Sequence, residues 1–211
     1  MESVTTKLHR IAIKAREDKK FVFTNLMHLV DLSFLWEAHR RIRKDGAVGI
    51  DGVSGDVYAE NLMVNLKALH ERMRKGLYRA PFIKRCWIPK DSDSERPIGI
   101  TTFEDKIVQK AVGMLLEAIY EEDFVEESYG FRPGKGAHDA LAALRDGCMA
   151  SRCRRLIDAD TQGYFDAINH KELIRMLRKR VNDGSLIKLV RRESWTENSW
   201  PSPTAGARRA D

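Results

Sequence analysis

Asp160 closes the short run Arg155-Leu156-Ile157-Asp158-Ala159-Asp160, and Phe165 and Asp166 follow it closely. In an extended strand alternate side chains share a face, so Asp158 and Asp160 point the same way. A carboxylate at the end of a buried strand suits Mg2+, a hard ion held by one or two carboxylates together with substrate phosphates. The carbonyl of Thr161 can add a ligand. An aromatic ring at Phe165 can lie beneath a nucleotide sugar and exclude a 2′-hydroxyl. In the competing reading Asp160 caps the turn that follows and Phe165 is core.

Two further groups carry candidate chemistry. Lys90 and Arg96 stand six residues apart across an expected turn. A lysine offers a point charge and an arginine a planar fork, so together they can neutralise a triphosphate. As an alternative, both are solvated surface cations. The run Tyr129-Gly130-Phe131-Arg132-Pro133-Gly134-Lys135-Gly136 mixes rings, glycines and cations. Rings stack on bases, and Arg132 and Lys135 can meet phosphates. It is not a phosphate-cradling Walker loop, because the Gly-Lys-Ser/Thr ending is absent. A plain surface loop anchored by Phe131 is the alternative.

These residues need elements to hold them. Apolar residues at Leu26, Leu29, Val30, Phe34, Ala38 and Ile42 predict a helix over 26–43. Leu62, Leu66, Leu69 and Met73 predict another over 57–75, with Gly76 as its C′ residue. Residues 82–88 and 96–100 read as the strands of a cationic hairpin, with 89–94 as its turn and Pro97 needing an edge or a strand start. Thr101-x-x-Glu104 reads as a capping box. It opens a helix carrying Ile107, Val108, Ala111, Val112, Leu115, Leu116 and Ile119 at 3.6-residue spacing. Further helices are expected through Leu141 and Leu144 and over 171–181, with a strand at 155–160 between them. This mixture lacks the βαβ alternation of a doubly wound sheet and indicates an α+β class.

Composition narrows the classes. At 43% hydrophobic residues, the 211-residue chain can form a real core. No apolar run approaches membrane-spanning length, and the polar first twenty residues do not read as a secretory signal. Three cysteines without a Cys-x-x-Cys pair fit a reducing compartment and give no zinc pattern; a cytoplasmic location is expected. Of the net charge of +6, residues 151–192 supply as much as the whole, with 11 Lys/Arg against 5 Asp/Glu. That excess suits a polyanionic partner or a solvated helix face.

Five segments occur in one order: Gly49-Ile50-Asp51-Gly52, Ile88-Pro89-Lys90, Arg96-Pro97-Ile98-Gly99-Ile100, Ser128-Tyr129-Gly130-Phe131-Arg132-Pro133, and Asp160-x4-Phe165-Asp166-x-Ile168-x-His170. In that order they resemble the fingers and early palm of group II intron reverse transcriptases, the maturase-type enzymes, over roughly residues 34–192. The resemblance implies a right-hand fold: a helical N-terminal extension (1–45), fingers (46–150), the start of the palm (151–192) and a tail unlike the family and disordered (193–211). It implies that Asp160 is the first metal-binding aspartate, with Thr161 beside it, and that Phe165 is the sugar gate. Lys90 and Arg96 are implied to meet the dNTP triphosphate, and Phe131, Arg132 and Lys135 to lie near template and nucleotide. Two Mg2+ ions, intron RNA, an RNA template and a DNA primer are the implied cofactors and partners. Thr161 and Gln162 depart mildly from the pattern. The family's Tyr-x-Asp-Asp motif is not found, and the sequence holds no Asp-Asp dipeptide. The expectation is therefore a truncated polymerase with an incomplete palm, inactive alone unless a complementing palm and thumb chain joins it, or an RNA-binding fragment.

Overall fold

Helix α5, Phe103–Tyr120, is the element on which the others are laid. We describe it from a computed structural model that covers residues 2–91, 94–161, 163–164 and 167–194. Ile107, Val108, Ala111, Val112, Leu115 and Ile119 are buried along α5, as the periodicity predicts. Helices α1 (Val4–Glu17) and α2 (Leu32–Arg40) pack against it. Helices α3 (Gly55–Glu60) and α4 (Leu62–Arg74) complete this layer, with Leu66, Leu69 and Met73 buried.

Three boundaries differ from the sequence reading. Helix α5 is capped by Thr102 rather than Thr101: the Thr102 hydroxyl accepts the Asp105 N–H at 3.3 Å. The Glu104 carboxylate is turned instead to Arg72, whose Nη2 donates to it at 2.7 Å. The helix expected over 26–43 begins only at Leu32. Asp31 accepts the Phe34 N–H at 2.9 Å and caps α2, and a 3-10 turn, Met27–Leu29, precedes it. The helix expected over 57–75 is two helices, broken at Asn61, whose φ of −122° and ψ of 35° leave the helical region. Tyr58 turns α3 toward the Phe103 ring, 5.4 Å away between centroids. Gly76 has φ +65°, and the Leu77 N–H reaches the Arg72 carbonyl at 2.8 Å, which is the Schellman stop expected there.

Strands β1 (Lys84–Asp91) and β2 (Ser94–Ile100) form an antiparallel hairpin, paired from Lys84↔Ile100 to Asp91↔Ser94 with an irregularity between Pro89 and Asp91. The strands run further into the expected turn than the sequence reading had them. Pro97 lies opposite Trp87. Each strand of a two-stranded sheet has an open edge, so the missing proline N–H is tolerated. Gly49 fixes the approach of the preceding link: a Cβ there would stand 2.6 Å from Thr102 Cα.

Helix α6 (Ala137–Ser151) buries no side chain, and Leu141 and Leu144 are exposed. The strand expected at 155–160 does not form; these residues are exposed and outside any strand. A strand needs a neighbour to satisfy its backbone groups. Among the described residues the only sheet is the β1–β2 hairpin.

The chain then returns to its beginning. Helix α7 (His170–Leu177) precedes α8 (Gly184–Ser194), and Val181 forms a parallel bridge with Phe23. The Arg180 guanidinium donates to the carbonyls of Ala15, Asp18 and Phe21 at 3.0–3.1 Å and lies 2.8 Å from the Asp123 carboxylate. One oxygen of Asp183 accepts the Leu26 and Met27 N–H groups, and the other those of Ser185 and Leu186. Leu186, Ile187 and Leu189 are buried behind them. Burial pushes the Asp183 carboxyl up, but the four backbone donors outweigh it and hold it below the ordinary carboxylate value.

Candidate polymerase site

The candidate residues lie on three surface segments. On the hairpin, Arg96 stands opposite Ile88 and is exposed; Lys90 sits at the irregularity next to Pro89, and its side chain lies outside the described residues. Exposed Lys84 and Trp87 share this hairpin, with Arg85 stacked on the Trp87 ring at 5.7 Å. A cation beside a ring is a surface on which both phosphate and base can rest.

The second segment is the loop between α5 and α6. Here the structure revises the sequence reading in two respects. Phe131 is no anchor: it is fully exposed, and its φ of +57° places a non-glycine residue in the left-handed region. Arg132 is the anchor. Its Nε and Nη2 take Glu121 Oε1 at 3.0 and 2.6 Å, its Nη1 reaches the carbonyls of Val125 and Ser128, and it lies over the Phe124 ring at 5.2 Å. The hydrogen bond to Glu121 raises the arginine's already high pKa. A guanidinium so engaged shapes the loop and has little left for a phosphate. Lys135 donates to the Glu126 carbonyl and lies 5.0 Å over the Tyr129 ring. Glu121 and Phe124 are the partners that sequence reasoning missed. The acidic run 121–123 directly before a cationic loop was the available signal.

The third segment carries Asp160, exposed, with its carboxylate accepting the N–H of Thr161 at 2.9 Å. The contact is local, to the next residue in the chain. Phe165 lies outside the described residues. Among the described residues no three His, Cys, Asp or Glu side chains gather as ligands. One carboxylate with a neighbouring carbonyl does not fit a pair of Mg2+ ions, which requires a cage of carboxylates and substrate oxygens. Nor does any hydrogen bond or ion pair among the described residues join the three segments.

A separate cleft of about 1010 Å³ lies between the 24–31 segment, the end of α4 and the start of α8. His70, Arg74, Lys75 and Lys188 line it, and none of the candidate residues does. No helix among the described residues is long and apolar enough to cross a membrane.

Comparison with known proteins completes the picture. Residues 88–200 match the family model of the reverse transcriptase (RNA-dependent DNA polymerase), a span that holds every candidate residue and runs past Arg192. Protein YkfC of Escherichia coli is 33% identical over 188 residues, covering 86% of this chain and 49% of that protein. The group II intron-encoded protein LtrA of Lactococcus lactis is 29% identical over 192 residues, covering 90% of this chain and 32% of that protein. A nuclear intron maturase of Arabidopsis thaliana is 33% identical over 91 residues, covering 43% of this chain and 12% of that protein. The chain thus spans about half the length of these relatives or less. With the ordered motifs, the hairpin and the loop that α5 holds, these similarities establish that the chain belongs to the group II intron reverse transcriptase and maturase family.

Proposed function

We propose that this chain supplies the fingers and the start of the palm of an RNA-directed DNA polymerase of a mobile group II intron. What supports the reading is that the family match over residues 88–200 takes in Lys90, Arg96, the loop and Asp160 together. In this reading Arg96 and Lys90 meet the dNTP triphosphate, Phe165 gates the sugar, and Phe131 lies against template RNA or the DNA primer. Asp160 and the Thr161 carbonyl hold part of a Mg2+ site that is complete only with the carboxylates of a Tyr-x-Asp-Asp motif. The 211 residues alone then leave the site unfinished. Purified, they incorporate no dNTP on a primed RNA template with Mg2+, and a version extended through that motif does. Robust extension by the 211 residues alone overturns the reading.

A second reading, an RNA-binding fragment that does not polymerise, rests on the exposed cations of the hairpin and the basic wall of the cleft. Structured intron RNA then shifts with the chain at low salt, and the shift weakens steeply as salt rises. Arg96→Ala lowers affinity for all sequences alike and shallows the salt slope by about one unit. Absence of binding at low salt rejects it.

A further inference from the structure

Helix α6 ends in a Schellman turn whose geometry brings two cysteines together. Arg152 is left-handed, with φ 52°. The Cys153 N–H reaches the Cys148 carbonyl at 3.0 Å, and the Arg152 N–H reaches that of Met149 at 3.4 Å. In this motif the side chain of the residue after the left-handed position frequently packs against that of the residue five positions before it. An apolar pair usually fills those places; here they are Cys148 and Cys153, both free thiols. Cys153 is exposed and its thiol donates to the Arg155 carbonyl at 2.8 Å, whereas Cys148 is half-buried. Burial, and then the neighbouring Cys153 side chain, raises the pKa of the Cys148 thiol. The third cysteine, Cys86, lies on β1. Among the described residues no third His, Cys, Asp or Glu joins the pair, so it lacks the further ligands that a tetrahedral zinc site takes.

We propose that Cys148 and Cys153 are a peroxide-oxidisable pair that closes to an intramolecular disulfide. The exposed Cys153 sulfur attacks one oxygen of hydrogen peroxide. The O–O bond breaks, and Cys153 becomes a sulfenic acid as one water leaves. The Cys148 sulfur then attacks Cys153 Sγ, the S–O bond breaks, a second water leaves, and the S–S bond forms. Two thiols give up two electrons to one peroxide, and a dithiol reductant reverses the step. The closed ring pins the turn from which residues 153–161 run to Asp160. In a reducing compartment such a bond is transient, as sensing disulfides are.

The test uses the purified 211-residue chain with dilute hydrogen peroxide, followed by alkylation, trypsin and mass spectrometry. Trypsin cuts after Arg152 and Arg154, between and behind the two cysteines. After oxidation the fragment 146–152 carries the dipeptide 153–154 through a disulfide, and dithiothreitol releases it, while Cys86 remains alkylatable. In Cys148→Ser, Cys153 has no resolving partner, and dimedone labelling of its sulfenic acid rises several-fold over wild type. Circular dichroism checks that the variant retains its helices. Unlinked fragments after oxidation, linkage to Cys86 or between chains instead, or equal dimedone labelling in wild type and Cys148→Ser each overturn the proposal.

Discussion

Arg132 and Glu121 meet through a forked contact, two guanidinium nitrogens on one carboxylate oxygen at 3.0 and 2.6 Å, and that contact joins the end of α5 to the motif loop. Because Arg132 also ties down the carbonyls of Val125 and Ser128, Arg132→Ala releases the whole loop. Cleavage by a protease at Lys135 is expected to quicken several-fold. Arg132→Lys does not restore protection, since a point charge cannot satisfy three acceptors in a plane. Equal cleavage of Arg132→Lys and wild type would show that charge alone shapes the loop.

Phe131 separates stability from binding. Its left-handed backbone costs a non-glycine residue about 1 kcal/mol, and its exposed ring supports nothing in the fold. Phe131→Gly should therefore raise the urea midpoint slightly or leave it unchanged. If the ring stacks on a base, single-stranded RNA affinity falls by about 1–3 kcal/mol. Unchanged affinity in a titration with labelled RNA removes Phe131 from the nucleic-acid surface.

Asp183 makes stability depend on acid. Its carboxyl is depressed in the folded state by four backbone donors. The stabilisation is therefore complete above the ordinary value of 3.8 and is lost as pH falls through the lower folded value. Asp183→Ala leaves buried N–H groups unpaired and costs about 2–3 kcal/mol at neutral pH. Urea melts at decreasing pH should show the gap between wild type and variant narrowing below pH 4; a constant gap contradicts the assignment.

Gly49 leaves no space for a methyl group: the Cβ of Gly49→Ala would lie 2.6 Å from Thr102 Cα and 2.8 Å from the Thr101 carbonyl oxygen, all backbone. A loss of about 1–3 kcal/mol is expected. Gly113→Ala, where a Cβ meets nothing within 4 Å, is the control and should be neutral or stabilising. Equal thermal midpoints for Gly49→Ala and wild type would show that the link moves aside.

What the sequence made legible was what local chemistry decides. The spacing from Ile107 to Ile119 marked α5, Gly76 marked the end of α4, and two strand-like runs around a polar turn marked the hairpin. What it hid depends on distant partners. Thr101 looked like the cap because Glu104 stood three places on, but Arg72, far back in the chain, claims Glu104. The run at 155–160 has the composition of a strand and, among the described residues, no neighbour to pair with. Arg132 read as a phosphate ligand because its partner Glu121 lay outside the motif. The roles of Arg180 and Asp183 appear only once residues 15–27 are folded against them.

That last arrangement bears on how the protein is made. Leu26 and Asp183 are 157 positions apart. At a synthesis rate of roughly 5–20 residues per second, the start of the chain waits about 8–30 s for its clasp to emerge from the ribosome. Through that interval Phe23 and Leu26 have only part of the surface that finally covers them. The vulnerable moment in this protein's life therefore comes during translation, when a chaperone has the most to protect.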